Sequence, residues 1–324
     1  MCASSAAPRA PRRAANRRGV IGWGFLSYHN FKNFILENPQ IHTIEISNWG
    51  EVFLNPELGK IIRLAHARGV RLKAANGVNL NTVSEETLRD LVKYQFNYLN
   101  VSIDGASHET YRLYRRKGSF NRVIRNIRRI NYYKEKFGSP FPKMSWQFVI
   151  FGHNEHELPK ARAMAAELGM EFRPKLNHTP EHSPVQDAEY VRREAGFKAA
   201  SREEFAQKKK RAYSRPCTQL WDSPQINWDG KLLGCCVNKF GDFGNIFADG
   251  FEACLTGEKY TYAKKMVLGL VPPRDDIPCI RCKVYRTQIA GKTLPPPDAK
   301  EKLEAALHIT SLISQKLPQL FEDQ

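Results

Sequence analysis

The cysteines of the second half of the chain form the pattern most able to do chemistry. Cys279 and Cys282 make a C-x-x-C pair, Cys235 and Cys236 are adjacent, and Cys217 lies upstream. Four thiolates brought together from three loops can hold a 4Fe-4S cluster or a tetrahedral zinc ion. A C-x-x-C pair alone is a weak signal, and the other cysteines strengthen it. The spacing therefore predicts an iron-sulfur or zinc site.

The adjacent cysteines follow a predicted β-hairpin. Asp229-Gly230, between two strand-like segments, predicts a two-residue turn. Successive strand residues point to opposite faces, so we expect only one of Cys235 and Cys236 to bind the metal. Spacing alone leaves open which one. The remaining cysteine of this region, Cys254, is interpreted as a small buried apolar residue.

The elements upstream of these cysteines alternate between strands and helices. Strands are predicted at 41–47, 70–75, 97–103, 144–151 and 170–176, and helices near 27–38, 56–68, 84–95, 119–137 and 155–168. This alternation predicts a parallel sheet with right-handed crossovers. Five strands are too few for a closed eight-stranded barrel. The predicted fold class is therefore α/β, a partial (incomplete) TIM-like β/α barrel followed by a small Cys-rich C-terminal domain containing a β-hairpin.

Composition changes mark the predicted domain boundaries. Residues 1–18 are expected to be disordered or misannotated, 19–180 to form the partial barrel without its first strand, 181–215 a helical linker, 216–290 the Cys-rich domain, and 291–324 a C-terminal helix. The sequence has no apolar run of membrane-spanning length and no secretory signal, so we expect a cytoplasmic protein without a membrane partner.

The chain carries a net charge of +17, and residues 112–134 contain only basic charges. Arg122, Arg125 and Arg129 recur at helical spacing there, which favours a solvated helix face. The order of elements matches no standard nucleic-acid module, so nucleic acid is an unlikely partner.

The segment FGHNEHE, residues 151–157, contains two histidines that could bind a metal. Asn154 and Glu157 instead favour an N-x-x-E capping pattern at a helix start. His153 and His156 are therefore not assigned as ligands.

The cysteine pattern resembles a known domain. The spacing from Cys217 through Gly230 to Cys235, C-x12-G-x4-C, followed by a distant C-x-x-C, is similar to the SPASM domain of radical S-adenosylmethionine (SAM) enzymes. That resemblance implies an auxiliary 4Fe-4S cluster. Its implied ligands are Cys217, Cys235, Cys279 and Cys282.

The first half resembles the same superfamily. ISNWGEVFLNP is similar to the Gly-Gly-Glu segment after the second strand, with Trp49 in place of the first glycine. Gly50 lets the backbone approach a ligand, and Glu51 can accept hydrogen bonds from the SAM amino group. NGVNLN and SIDGASHETYRLYR match further family segments at strand ends. The resemblance implies that the SAM pocket also includes Asn76, Ser102, Asp104 and Arg115.

The sequence departs from that family at one motif. The C-x3-C-x2-C segment that holds the catalytic 4Fe-4S cluster is absent. Our hypothesis is that Met1 lies inside this motif, so that the chain is truncated and Cys2 is the third ligand. On this interpretation the chain as given is inactive and holds a catalytic cluster only if the upstream motif exists.

The resemblance implies that the intact protein cleaves SAM to a 5′-deoxyadenosyl radical and modifies a substrate, with a peptide or protein favoured. A reducing donor such as flavodoxin or ferredoxin would supply electrons. Two alternatives stay open: radical tailoring of a sugar or nucleotide metabolite, and a non-catalytic zinc-stabilised binding protein.

Overall fold

The computed structural model describes the backbone of residues 2–3 and 287–290 and all atoms of residues 19–209, 213 and 217–286. The predicted C-terminal helix at 291–324 and nearly all of the segment 1–18 lie outside these ranges. The described residues divide into two compact units, of which the first includes residues 23–209 and 213 and the second includes residues 217–290. Residues 19–22, predicted to belong to the barrel, group with the second unit. Their contact there is through Ile21, whose carbonyl oxygen accepts from Asn227 Nδ2 at 2.8 Å.

The first unit is built on a parallel sheet. Its strands are β1 (Cys2–Ala3), β2 (Thr43–Glu45), β3 (Arg71–Val78), β4 (Tyr98–Ser102), β5 (Lys143–Ile150) and β6 (Glu171–Leu176). Their spatial order, β6-β5-β4-β3-β2-β1, follows the chain. Sequential order with right-handed crossovers places the connecting helices on one side of the sheet. The predicted partial β/α barrel is confirmed.

The helices of this unit lie between and after the strands. They are α1 (Tyr28–Glu37), α2 (Leu58–Ala67), α3 (Glu85–Lys93), α4 (His108–Tyr114), α5 (Phe120–Phe137), α6 (Leu158–Glu167), α7 (Ala188–Ala195) and α8 (Arg202–Lys209). Their ends follow local signals: Ser84 Oγ accepts from Thr87 N at 3.1 Å to start α3, and Gly138 ends α5 with φ of 58°. Sequence analysis missed α4. None of the described helices is both long and apolar enough to cross a membrane.

The two faces of the sheet differ in polarity. One face carries the fully buried core, including Trp146 and Phe148 of β5, both 0% exposed, and Trp146 packs on Phe120 of α5. The alternate residues of β5, Ser145 and Gln147, bond instead to polar side chains of β4. We call this second side the polar face. Burial of the apolar face holds the sheet to its helices and leaves the polar face for binding.

The predicted missing first strand has a short counterpart. Cys2–Ala3 forms a two-residue strand parallel to β2, with Cys2 opposite Glu45. Cys2 therefore occupies the sheet edge where the first strand was expected. The described atoms of Cys2 are those of its backbone, so its role as a ligand stays a prediction.

The second unit contains the predicted hairpin with a different turn. β7 (Gln225–Ile226) leads into a reversal in which Asn227 N donates to Lys231 O at 2.9 Å. Gly230 has φ of +90°, and Gly230 N donates to Asn227 O at 3.0 Å. The loop therefore has three residues, 228–230, and the predicted two-residue turn is wrong. A turn followed by a glycine of positive φ is the usual geometry of such loops.

Short helices complete the second unit. They are α9 (Gln219–Asp222), α10 (Ile246–Asp249), α11 (Phe251–Thr256), α12 (Glu258–Val267) and α13 (Lys283–Ala290). Tyr260 of α12 is fully buried, and its hydroxyl donates to Leu220 O at 2.9 Å. This bond fixes α12 against α9, the helix that follows Cys217.

Candidate functional site

The predicted thiol ligands come from three segments of the second unit. Cys217 lies just before α9, and Cys235 lies in the turn after the hairpin. Cys279 lies in a single 3-10 turn, Pro278–Arg281, and Cys282 directly precedes α13. Cys282 N donates to Cys279 O at 2.9 Å, which folds the C-x-x-C pair into one compact loop.

The structure brings these four thiols together. Cys217 donates a hydrogen bond to Cys235, and the charges of Cys235, Cys279 and Cys282 all act on Cys217. This hydrogen bond, followed by burial, raises the pKa of Cys217, and the same bond lowers the pKa of Cys235 to about 7. Burial raises the pKa of Cys279 to about 12. The pKa of each thiol therefore depends on the charges of its neighbours.

Cys236 lies beside the cluster. Its backbone N–H donates to Gln219 Oε1 at 3.0 Å, and burial together with the charge of Cys235 raises the pKa of Cys236 to about 11. Gly234, with φ of +76°, ends the extended backbone, so Cys235 and Cys236 lie in a bend and turn. The prediction assumed that both cysteines lie in a strand, and this assumption is wrong.

Cys254 lies apart from the other thiols. It is buried in α11, where the charges acting on it are those of Asp249 and Asp242. This placement agrees with its interpretation as a packing residue. The four predicted ligands act on one another electrostatically but do not close around a single point, because no group of three or more His, Cys, Asp or Glu side chains in the described part of the chain is arranged to hold one metal ion. A 4Fe-4S cluster, in which each thiolate binds a different iron, requires a wider spacing of its ligands than a single ion does.

The surroundings of the four thiols fit a sulfur-rich group. Four soft donors are the ligand set of iron-sulfur clusters. In addition, the Tyr285 hydroxyl is buried and has no hydrogen-bond partner among the described residues. Burial and then the charge of Cys279 raise the pKa of Tyr285, so the hydroxyl lies near that thiol. The Tyr285 hydroxyl could donate a hydrogen bond to the sulfides of an iron-sulfur cluster bound by these thiols.

The predicted SAM pocket begins after β2. Gly50 has φ of +87°, a conformation that glycine adopts without strain. Glu51 then starts a 3-10 turn, Val52–Leu54, and its carboxylate accepts from Phe53 N at 3.4 Å and from Asn79 N at 2.8 Å. Burial raises the pKa of Glu51 to about 7.

The raised pKa of Glu51 predicts a pH dependence of stability. The folded chain holds a proton on Glu51 more tightly than the unfolded chain, so the contribution is present below about pH 4.5 and is lost as pH rises through about 7. We expect the free energy of unfolding to fall by about 3 kcal/mol across this window. Urea unfolding at pH 5 and pH 8 measures this change in the free energy of unfolding. Glu51→Gln, which cannot titrate at this position, is the control and should lack the contribution of Glu51 to that change. Equal slopes for both proteins would refute it.

Asn76 and Ser102 lie at the carboxyl ends of their strands. The Asn76 amide donates to Ser47 O, and its backbone N–H donates to Ser47 Oγ at 3.2 Å. Ser102 Oγ accepts from Gln147 Nε2 at 3.4 Å. Gly77 passes directly over Ser102, since an added Cβ would lie 2.5 Å from its Oγ. The backbone thus comes close to the strand end where ligands of β/α barrels bind.

Asp104 and Arg115 form an ion pair within the first unit. Arg115 Nε donates to Asp104 Oδ2 at 2.6 Å, while Val149 N donates to Asp104 Oδ1 at 2.8 Å. Asp104 is completely buried, and each of its two carboxylate oxygens accepts one of these hydrogen bonds. The charge of Arg115 acts on Glu51. Asp104 holds Arg115 in place, and Arg115 is the member of the pair able to face a ligand.

Asn154 and Glu157 have a role other than the predicted helix cap. Asn154 Oδ1 accepts from Phe151 N at 2.7 Å and forms no capping bond. Glu157 Oε2 accepts from Ala106 N at 2.6 Å. The capping prediction is wrong, because these side chains tie the loops after β4 and β5 together.

Sequence analysis missed a network on the polar face. Glu45 accepts from Ala75 N at 2.7 Å and from Ser47 Oγ at 2.6 Å. Asn100 Nδ2 donates to Gln147 Oε1 at 2.8 Å, and Lys175 Nζ donates to the same oxygen. The alternation of polar residues in IHTIEIS and MSWQFVIF was the available signal, because a strand covered on both faces would be apolar throughout.

Comparisons with known proteins agree with this architecture. Residues 30–161 match the model of the radical SAM superfamily, and residues 217–283 match that of SPASM, an iron-sulfur cluster-binding domain. A search of curated proteins gave no match.

Solved structures share the fold. The crystal structure of Streptococcus suis SuiB bound to S-adenosylmethionine has 10% sequence identity and a TM-score of 0.54, covering 88% of this chain and 71% of SuiB. The structure of SuiB bound to its precursor peptide SuiA has the same identity and TM-score, with 88% and 70% coverage. At this identity the similarity concerns the fold alone. The two family models show that the chain carries a radical SAM domain and a SPASM iron-sulfur cluster-binding domain.

Proposed function

We propose that the protein acts in SAM-dependent radical modification of a peptide or protein, with an auxiliary 4Fe-4S cluster in its second unit. The observation that supports this most is the convergence of the four thiols of Cys217, Cys235, Cys279 and Cys282. The peptide substrate is suggested by SuiB, whose fold the chain shares and which was crystallised with a precursor peptide.

The proposal assigns each cofactor to particular residues of the chain. The four cysteines would hold the auxiliary cluster, and the residues after β2, β3 and β4 would hold SAM. A bound catalytic cluster and SAM would together supply the 5′-deoxyadenosyl radical needed to remove a hydrogen atom from the substrate. Cys2 remains the predicted third ligand of the catalytic cluster. A reducing protein such as flavodoxin or ferredoxin is the proposed electron donor.

The residues of the first unit bind and orient SAM in this proposal. Glu51, once ionised above about pH 7, accepts a hydrogen bond from the ammonium of SAM. Arg115, held by Asp104, attracts its carboxylate. Ser102 and Asn76 add polar groups at neighbouring strand ends. Opposite charges on the protein thus match the two charges of the amino-acid end of SAM.

We expect Glu51→Ala to weaken SAM binding by about 1.5–3 kcal/mol, the range for a hydrogen bond to a charged group. Calorimetry at pH 8 measures this, because Glu51 is then ionised. Glu109→Ala, which removes an exposed carboxylate of α4, serves as the matched control and should bind SAM as the wild type does. Equal affinity in Glu51→Ala would exclude the proposed contact.

Mass spectrometry tests the substrate class. A form of the protein that includes the C-x3-C-x2-C motif is reconstituted and incubated with SAM, a chemical reductant and either the small-peptide or the metabolite fraction of cells. A peptide whose mass changes only when SAM is present supports the proposal. A change confined to a sugar or nucleotide metabolite would support the alternative instead.

A further inference from the structure

A partly buried lysine lies on the polar face. Lys175 of β6 pairs in register with Val149 of β5, and its ammonium donates to Gln147 Oε1. Its neighbours along β6, Pro174 and Leu176, point to the opposite face. Lys175 forms no ion pair within the described residues, although it is partly buried. A cation withdrawn from water with only an amide oxygen as partner is costly unless an anion completes its surroundings.

The neighbourhood of Lys175 is positive. Arg173 and Arg202 both act on Lys175 with like charge, and burial is the main cause that lowers its pKa. Asp104 is the acidic group whose charge reaches Lys175, but its two oxygens already bond to Arg115 and Val149. Among the residues that the structure describes, no carboxylate pairs with Lys175, and the site favours an incoming anion.

Arg202 reinforces the positive site. Its Nε donates to Leu176 O at 3.0 Å, and its guanidinium lies over the Tyr213 ring at 4.7 Å. The Tyr213 hydroxyl in turn accepts from Leu176 N at 3.2 Å. These contacts fix a second cation at the carboxyl end of β6. Barrel ligands bind at this edge.

We propose that Lys175, assisted by the charge of Arg202, binds a carboxylate of the substrate at the β5–β6 end of the polar face. This inference deepens the proposed function, on which it rests, because it gives the substrate an acidic group near the reacting position. The SAM residues follow β2, β3 and β4, so the carboxylate site lies at the other end of the same sheet.

The test uses two probes that differ only in charge. Acetyl-glutamate methylamide and acetyl-glutamine methylamide, both at millimolar concentration, are compared by their effect on the Tm of the full chain. We expect the glutamate probe to raise the wild-type Tm more than the glutamine probe does. Lys175→Gln should lose this difference, whereas Lys73→Gln, which changes another lysine of the polar face, should keep it. Acetylglycine, a free terminal carboxylate, distinguishes a C-terminal carboxylate from an acidic side chain, and either source supports the inference.

Two further measurements separate binding from structure. Without a ligand, Lys175→Gln should have a Tm equal to or above that of the wild type, since the uncompensated charge is removed. A clearly lower Tm would assign Lys175 a structural role and overturn the inference. SAM affinity should be unchanged in Lys175→Gln; its loss would place Lys175 in the SAM site and overturn the inference, as would equal effects of the two probes. Failure of SAM to bind any variant would instead contradict the proposed function.

Discussion

Cys279→Ala should lose nearly all of the broad visible absorption that the wild-type chain gains on anaerobic reconstitution with iron and sulfide. Cys279 is buried, and its charge couples to Cys235, Cys282 and Cys217. Removing one of four converging ligands leaves three thiols and a methyl group where a fourth sulfur is required. Absorption spectra and iron analysis of the purified protein measure this effect.

Cys254→Ala is the matched control for this experiment. It removes a buried thiol of the same unit that lies apart from the four, so its absorption and iron content should equal those of the wild type. Unchanged iron and sulfide in Cys279→Ala would remove that residue from the ligand set. Loss of iron in Cys236→Ala, with full iron in Cys235→Ala, would reverse the assignment between those neighbours.

Asp104→Ala should destabilise the first unit by about 3–5 kcal/mol, the cost of breaking a buried charge pair by removing one partner. The change leaves Arg115, which is only 26% exposed, without its anion, and it leaves the Val149 N–H without an acceptor. Since Asp104 and Arg115 both belong to the predicted SAM pocket, SAM binding should weaken as well. Urea unfolding measures the loss of stability.

Glu171→Ala provides the comparison for Asp104→Ala. It breaks the ion pair with Arg173 in the same sheet, where the two side chains are 46% and 60% exposed. Exposed pairs contribute at most about 1 kcal/mol. Similar losses in the two variants would contradict the role given to burial at Asp104.

The strands and main helices could be predicted from the sequence because the spacing of their apolar residues indicates each element. The predicted strand at 144–151 is observed at Lys143–Ile150, and the predicted helix at 119–137 is observed at Phe120–Phe137. Local signals failed where tertiary contacts compete with them. Asn154 fits a helix-capping pattern, yet its side chain accepts from Phe151 N and donates to Val149 O instead. Sequence spacing cannot reveal this competition between hydrogen-bond partners.

The candidate site shows the same division. Motif spacing predicted a group of thiols, and the resemblance to the SPASM domain was needed to choose Cys235 over Cys236. In the structure Cys236 also lies within reach of the charges of Cys235 and Cys282, so the ligand set stays a prediction. The geometry around Cys235 was not predictable in this way. A glycine at position 234 with positive φ turns the chain, and strand alternation no longer applies. Lys175 was missed because its significance lies in the missing counterion, a property of the folded surroundings.

The amount of iron and sulfide bound by the second unit tests the central claim most directly. Anaerobic reconstitution of the Cys2→Ser variant of the chain, followed by chemical analysis for iron, acid-labile sulfide and zinc, excludes any contribution from Cys2. The account predicts about four irons and four sulfides per chain. Stoichiometric zinc with little iron would contradict it and would favour a zinc-stabilised binding protein.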